Sequence, residues 1–227
     1  MNVLKIAKKI SFILIMVCFV KNSVAQTIPI VQAYNVLGTR DVAPYQLKYD
    51  IVHDKPLWKA INVDDATDVT LYIAPKGNYL EIKDAGSGGN KTTVQCRIIQ
   101  SKKDKTIIVL NTTVYINEQE KLNSIHFYEV DEFGGEQLKN IMPKINPLQF
   151  IAKADLAGQE ELFTNGEVLY KLNEANSNIE ASAYYKKLEK DCMTGSKSAC
   201  QAQNVIQPPL TLVWINSLKK YVKAQKK

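Results

Sequence analysis

Between Asp68 and Val130 apolar and polar residues alternate with a period of two, and no helical spacing interrupts them. Val69, Leu71 and Ile73 alternate with Thr70 and Tyr72, and Pro75-Lys76-Gly77-Asn78 supplies turn chemistry. Tyr79 to Lys83 alternates again, and Gly86-Ser87-Gly88-Gly89-Asn90 reads as a loop. A strand through Val94, Cys96 and Ile98 follows, then a charged turn at Lys102-Lys103-Asp104-Lys105. Thr106 to Ile116 is rich in β-branched residues, and Ser124 to Val130 gives a fifth run. Five closely spaced strands without intervening helices predict an antiparallel meander. Such a sheet must bury a face, by closing into a barrel, stacking on a second sheet, or lying under helices.

The flanks carry weaker patterns. Ala33–Leu37 and Gln46–Val52 read as strands, punctuated by Gly38, Pro44 and Pro56. Beyond Gly134-Gly135, Pro143 and Pro147 keep the chain irregular. Asn165-Gly166 between apolar runs signals a hairpin, although the residues on either side also suit a helix. Ser177-Asn178-Ile179-Glu180 matches a capping box, and Ala181, Tyr184, Leu188 and Cys192 then fall on one helical stripe. Past Pro208-Pro209, Trp214, Leu218, Tyr221 and Val222 repeat at helical spacing. The expectation is an α+β protein, an antiparallel β-meander (open sheet or partly closed barrel) covered by C-terminal helices. It divides into a β-rich meander at 26–135 and a mixed segment at 136–227 ending in two helices, packed as one domain.

Residues 1–25 read as a cleavable export signal. Lys5, Lys8 and Lys9 form a positive start, and Ile10–Val20 is an apolar run of 11 residues. That is well short of the roughly 20 needed to span a bilayer. Ser23 and Ala25 bracket Val24 in the small-x-small pattern of signal peptidase sites, placing cleavage between Ala25 and Gln26. Val17 is too large for the position before a lipidated Cys18. No later stretch is long enough for a transmembrane span. The formal charge of +6 shrinks once the four lysines of the leader are removed, leaving 25 basic against 23 acidic residues. That balance argues against nucleic acid as a partner. The lysines at 219, 220, 223, 226 and 227 read as a solvated helix end.

In an oxidising compartment Cys192 and Cys200 are the natural disulfide, and Cys96 is left as a buried thiol on a strand face. The stretch Tyr184–Cys200 resembles one unit of the cysteine-rich Sel1-like repeats, matching at Cys192, Gly195, Ala199 and Cys200. The resemblance covers under a tenth of the chain and implies two antiparallel helices tied by the disulfide. A solenoid of such units would need about three or more of them, and only one is present.

Catalytic and metal motifs are absent from the sequence. His53 and His126 have no metal-ligand spacing, and there is no nucleophile elbow, P-loop or dinucleotide fingerprint. Asp64, Asp65 and Asp68 lack the spacing of a calcium loop and read as an acidic turn. Asn90-Lys91-Thr92 and Asn111-Thr112-Thr113 are glycosylation sequons. No cofactor is expected. The favoured function is a secreted or periplasmic, non-enzymatic binding or interaction protein. Its partner would be a small apolar ligand in a cavity, or a protein docked on the C-terminal helices. The alternatives are a secreted hydrolase using carboxylates or Cys96, and a structural envelope component. Protein isolated from its own host is expected to begin at Gln26, which N-terminal sequencing checks. A chain starting at Met1 would overturn the export reading.

Overall fold

A computed structural model describes residues 29–37, 45–52, 55–62, 69–86, 90–102, 105–116, 120–152, 155 and 158–224. The export signal with its Ala25–Gln26 cleavage site, Cys18, His53 and the Asp64/Asp65/Asp68 cluster lie outside the described residues.

The period-two run forms the centre of the molecule. Strands β3 (Val69–Ile73), β4 (Tyr79–Asp84), β5 (Lys91–Ser101), β6 (Thr106–Ile116), β7 (Glu120–Val130) and β8 (Gly135–Leu138) make one open antiparallel sheet in sequential order. The first five are the expected meander. The sixth was not foreseen, and it is set by a turn in which Asp131 Oδ1 accepts from the backbone N–H groups of Phe133 and Gly134.

Alternation sends two sets of side chains to opposite faces. Leu80, Ile82, Val94, Cys96, Ile108 and Leu110 point to one face. Helix α1 (Pro29–Leu37) covers it through Ile30, Val31, Ala33 and Tyr34, together with the hairpin of β1 (Tyr45–Val52) and β2 (Lys55–Asn62). Ala33–Leu37 is thus helical, where alternation suggested a strand. Pro29 suits the first helical position, and the buried residues fall on one face of the helix. On the opposite face Tyr79, Ile107, Val109 and Phe127 meet a second core.

That second face is covered mainly by another antiparallel sheet, in the order β12-β11-β10-β9. Its strands are β9 (Glu167–Leu172), β10 (Ile179–Tyr184), β11 (Leu210–Ile215) and β12 (Lys220–Lys223). Leu172, Ile179, Ala181, Leu212, Trp214 and Tyr221 supply its share of the core. Two helical readings are corrected here. Ser177–Glu180 is not a capping box. It spans the end of the β9–β10 turn, in which Asn173 Oδ1 accepts from the N–H groups of Ala175 and Asn176, and the first two residues of β10. Ile179 and Ala181 then face the core with a period of two. The Trp214–Val222 stripe is likewise a hairpin. Trp214 and Tyr221 are seven apart, two helical turns, but a four-residue turn also makes them cross-strand partners, with ring centroids 5.3 Å apart. Lys219 takes the left-handed backbone of that turn and Lys220 and Lys223 lie in β12, so these three do not end a helix, while Lys226 and Lys227 lie outside the described residues.

The helical cover is the disulfide-pinned pair α2 (Lys186–Met193) and α3 (Lys197–Gln203). It packs against Phe163, Tyr185 and Ile151 at one end of the small sheet. Gly195, at φ 96°, stops α2. Its N–H donates to Cys192 O, and the N–H of Ser196 reaches back to Asp191 O. Ser196 at once caps α3, its Oγ accepting from Ala199 N. Reversal within three residues brings the Cys192 and Cys200 Cα atoms to 4.7 Å. The Asn165-Gly166 turn joins the short 3-10 turn Glu160–Phe163 to β9, and does not close the hairpin that the sequence suggested. A side chain at Gly166 would meet the Tyr185 ring at 2.3 Å.

A row of amides, Gln95 and Asn111 buried and Asn123 half-buried, fastens the two sheets. Gln95 Oε1 accepts from the N–H of Leu172 at 3.1 Å. Asn111 Nδ2 donates to Tyr170 O at 2.8 Å, and Tyr170 N donates to Asn123 Oδ1 at 2.8 Å. The amides also bond to one another, Asn111 to Gln95 at 3.1 Å and Asn123 to Asn111 at 2.9 Å. Arg97 donates to the carbonyls of Asn173 and Glu174 at 2.8 and 2.6 Å. The Tyr170 and Leu172 groups so satisfied belong to β9, an edge strand, whose free side would otherwise carry orphaned donors and acceptors, and Arg97 serves the turn that follows it. Asn111→Leu leaves Tyr170 O, Gln95 and Asn123 short of partners and is expected to cost about 2–3 kcal/mol. Thr70→Ala, on the exposed part of the same face, should stay within about 0.5 kcal/mol. Urea unfolding of the two variants reads the difference.

Candidate functional site

The small sheet does not cover the whole of the face it packs on. Pairing register places Thr70, Lys83, Thr93 and Thr113 in one row across β3 to β6, and Lys91, Tyr115 and Lys121 in the next row across β5 to β7. Most of these residues line a cleft of about 560 Å³ at the end of the large sheet, with Glu189 of α2 on its opposite wall.

The cleft's charges are positioned by named contacts. Lys121 Nζ donates to Glu189 Oε1 at 3.0 Å and lies 5.3 Å from the centroid of the Tyr184 ring and 6.0 Å from that of Tyr115. Lys83 Nζ sits 2.7 Å from Glu81 Oε1. That carboxylate raises the lysine's pKa. Burial alone would raise the Glu81 pKa, but donation from Lys83, Gln95 and Tyr79 outweighs it and holds the group below the ordinary carboxylate range. Asp84 also borders the cleft, yet its carboxylate is turned inward, accepting from Tyr45 OH and Gly86 N at 2.8 Å each.

The residues singled out from sequence fall in separate places. Cys192 and Cys200 form the expected disulfide, and α2, the helix it pins, brings Glu189 to the cleft. Cys96 is fully buried in the core on the far face of the sheet, and desolvation pushes its thiol well above the usual range. His126 shares that face, but Leu110 stands between them in the ladder. The two Cα atoms are therefore about two strand spacings, roughly 10 Å, apart. The His126 Nδ1 is held 2.9 Å from Gln137 Nε2. A Cys96–His126 dyad is thus ruled out by position, and the thiolate that a nucleophile needs is disfavoured by burial. At the sheet interface the donors to Glu81 hold it below the ordinary carboxylate range, opposite to the raised pKa of a general acid. Glu174 nearby accepts from Tyr72 OH. Among the described residues, no group of three or more His, Cys, Asp and Glu residues could hold a metal. The Asn111 sequon is closed to glycosylation because Asn111 is 1% exposed.

The sequence reading did not single out Lys83, Lys91, Tyr115 or Lys121 as a group. The available signal was their shared parity along consecutive strands, which places them on one face once register is known. The expected docking surface on the helices shows one large exposed apolar residue, Met193. Exposed apolar surface lies instead on the β1–β2 hairpin, at Tyr49, Ile51, Leu57 and Ile61. Among the described residues, no helix is long and apolar enough to cross a membrane.

No family model matches the chain, and no curated protein does. Among solved structures it is similar to a domain of an uncharacterized protein from Porphyromonas gingivalis W83. The TM-score is 0.50 at 14% identity, over 82% of each chain. At that identity the likeness concerns the fold alone. In the native protein Cys96 is expected to resist a thiol reagent such as dithionitrobenzoate and to react once the chain is unfolded. Prompt native reaction would contradict its burial.

Proposed function

We propose that this is an exported, non-enzymatic protein that binds a small molecule in the cleft between the meander and α2. The cleft carries the reading: its volume of about 560 Å³ falls in the range of small-molecule sites, about 300–1,000 Å³. Its floor is built from residues of adjacent strands in fixed register. A site on paired strands is held more rigidly than one on loops. The disulfide supports export, because such bonds persist in oxidising compartments and are rare in the cytosol. The buried thiol and the donor-saturated Glu81 carboxylate weigh against the hydrolase alternatives.

Binding without chemistry needs shape, a few oriented polar groups and a surface for the ligand's body. Tyr115 offers a ring, the threonines offer hydroxyls, and the lysines and Glu189 offer charge. The exposed lining is mostly carbon with these polar groups set in it, which suits a ligand with an apolar body carrying charged or polar groups. The test is native mass spectrometry of the protein purified from its own host beside Thr93→Trp, which fills the cleft from its floor. A non-covalent adduct on the wild type that is lost in the variant is expected. An equal adduct on both would place the ligand elsewhere, and none on either would favour a purely structural envelope role.

A further inference from the structure

Resting on the binding reading above, we infer that the cleft's ligand is an organic anion: a carboxylate, sulfate or similar group on a flat, carbon-rich body. Three strands of the large sheet each contribute a lysine to one face: Lys83 from β4, Lys91 from β5 and, across β6, Lys121 from β7. Lys91 and Lys121 flank Tyr115 in a single row, in the register Lys91↔Tyr115↔Lys121. With strands about 4.8 Å apart, their Cα atoms stand roughly 10 Å from each other, one on either side of the ring. Lys83 stands in the adjoining row, opposite Thr93. A planar or CH-rich body against Tyr115 would therefore have ammonium groups at both ends and threonine hydroxyls alongside.

The nearby acids leave the lysines donors to spare. Asp84 accepts from Tyr45 and Gly86. Glu81 and Glu189 each hold one lysine, at 2.7 and 3.0 Å. An ammonium has three donors, so each of these lysines keeps others for an incoming anion. The Lys83 side chain is 64% exposed, so its ammonium stays open to solvent on the side away from Glu81 and can meet a ligand anion there. The carboxylates around the cleft already have donors, Glu81 and Glu189 from lysines and Asp84 from Tyr45 and Gly86, which leaves them less suited to a cationic ligand.

The experiment compares two fluorescent probes with related aromatic bodies, the anionic anilinonaphthalene sulfonate and the uncharged phenylnaphthylamine. Both are titrated into the full chain and into Thr93→Trp, Lys83→Gln and Lys91→Gln, with circular dichroism confirming that each variant is folded. Tighter binding of the sulfonate is expected, with loss of both probes in Thr93→Trp. Each lysine change should weaken the sulfonate about two- to five-fold and leave the neutral probe unchanged. Raising salt from about 0.1 to 1 M, which shortens the screening length from about 10 to 3 Å, should weaken the sulfonate alone. If the neutral probe binds as tightly and the lysine changes do nothing, the anion assignment falls while the cleft survives as a binding site. If neither probe binds, or both bind Thr93→Trp as they bind the wild type, the cleft reading falls and the anion assignment falls with it.

Discussion

The three side-chain amides Gln95, Asn111 and Asn123 hold this architecture together. They lie at the junction of two sheets and spend their hydrogen bonds on the backbone of β9 and on one another. An edge strand buried against another sheet has a row of backbone groups that water cannot reach. Ordinarily such an edge is paired, charged or exposed. Here side chains from β5, β6 and β7 substitute for a neighbouring strand, and Arg97 continues the pattern on the next two carbonyls. Since β9 meets β7, β6 and β5 in turn, it runs across the large sheet. Apolar surface draws the two sheets together, but it is non-directional. The amides add direction, because sliding β9 along the sheet would strand several buried groups at once.

The cleft is a consequence of where that junction falls. Beyond the amides, the same face of the large sheet continues into the rows of Thr70, Lys83 and Thr93 and of Lys91, Tyr115 and Lys121, which the small sheet leaves uncovered. Strand β10 ends at Tyr184 and the chain turns into α2, which brings Glu189 to Lys121. Gly195 and the disulfide fix the far end of that helix. One wall of the cleft is thus a sheet in fixed register. The other is a helix of eight residues secured by a Schellman turn, a crosslink and the packing of Leu188.

Chemistry and position are separated across the thickness of the sheet. Cys96 belongs to the row facing α1, while Gln95 and Arg97, its neighbours in sequence, face the small sheet. A one-residue difference in a strand decides between a dry core and a polar junction. The thiol is therefore a small hydrophobe by environment, and the charged groups gather where solvent enters from the other side.

The sequence by itself determined the meander, the parity of its faces, the burial of Cys96 and the Cys192–Cys200 crosslink. Each rests on local chemistry: alternation, turn residues, and two thiols eight residues apart with a glycine between them. It did not determine α1, the small sheet or the cleft. Ala33–Leu37 was too short for its period to be read. Ser177–Glu180 has the composition of a capping box, but the sheet partners of Ile179 and Ala181 lie on either side of it, in β9 and β11. Trp214 and Tyr221 are separated by a number of residues that two helical turns and a tight hairpin satisfy equally. Only tertiary structure could choose, because the choice depends on which surface needs covering. The face of Tyr79, Ile107, Val109 and Phe127 is buried by a second sheet whose edge is satisfied by three amides from distant strands. No window of sequence contains both the edge and the groups that satisfy it.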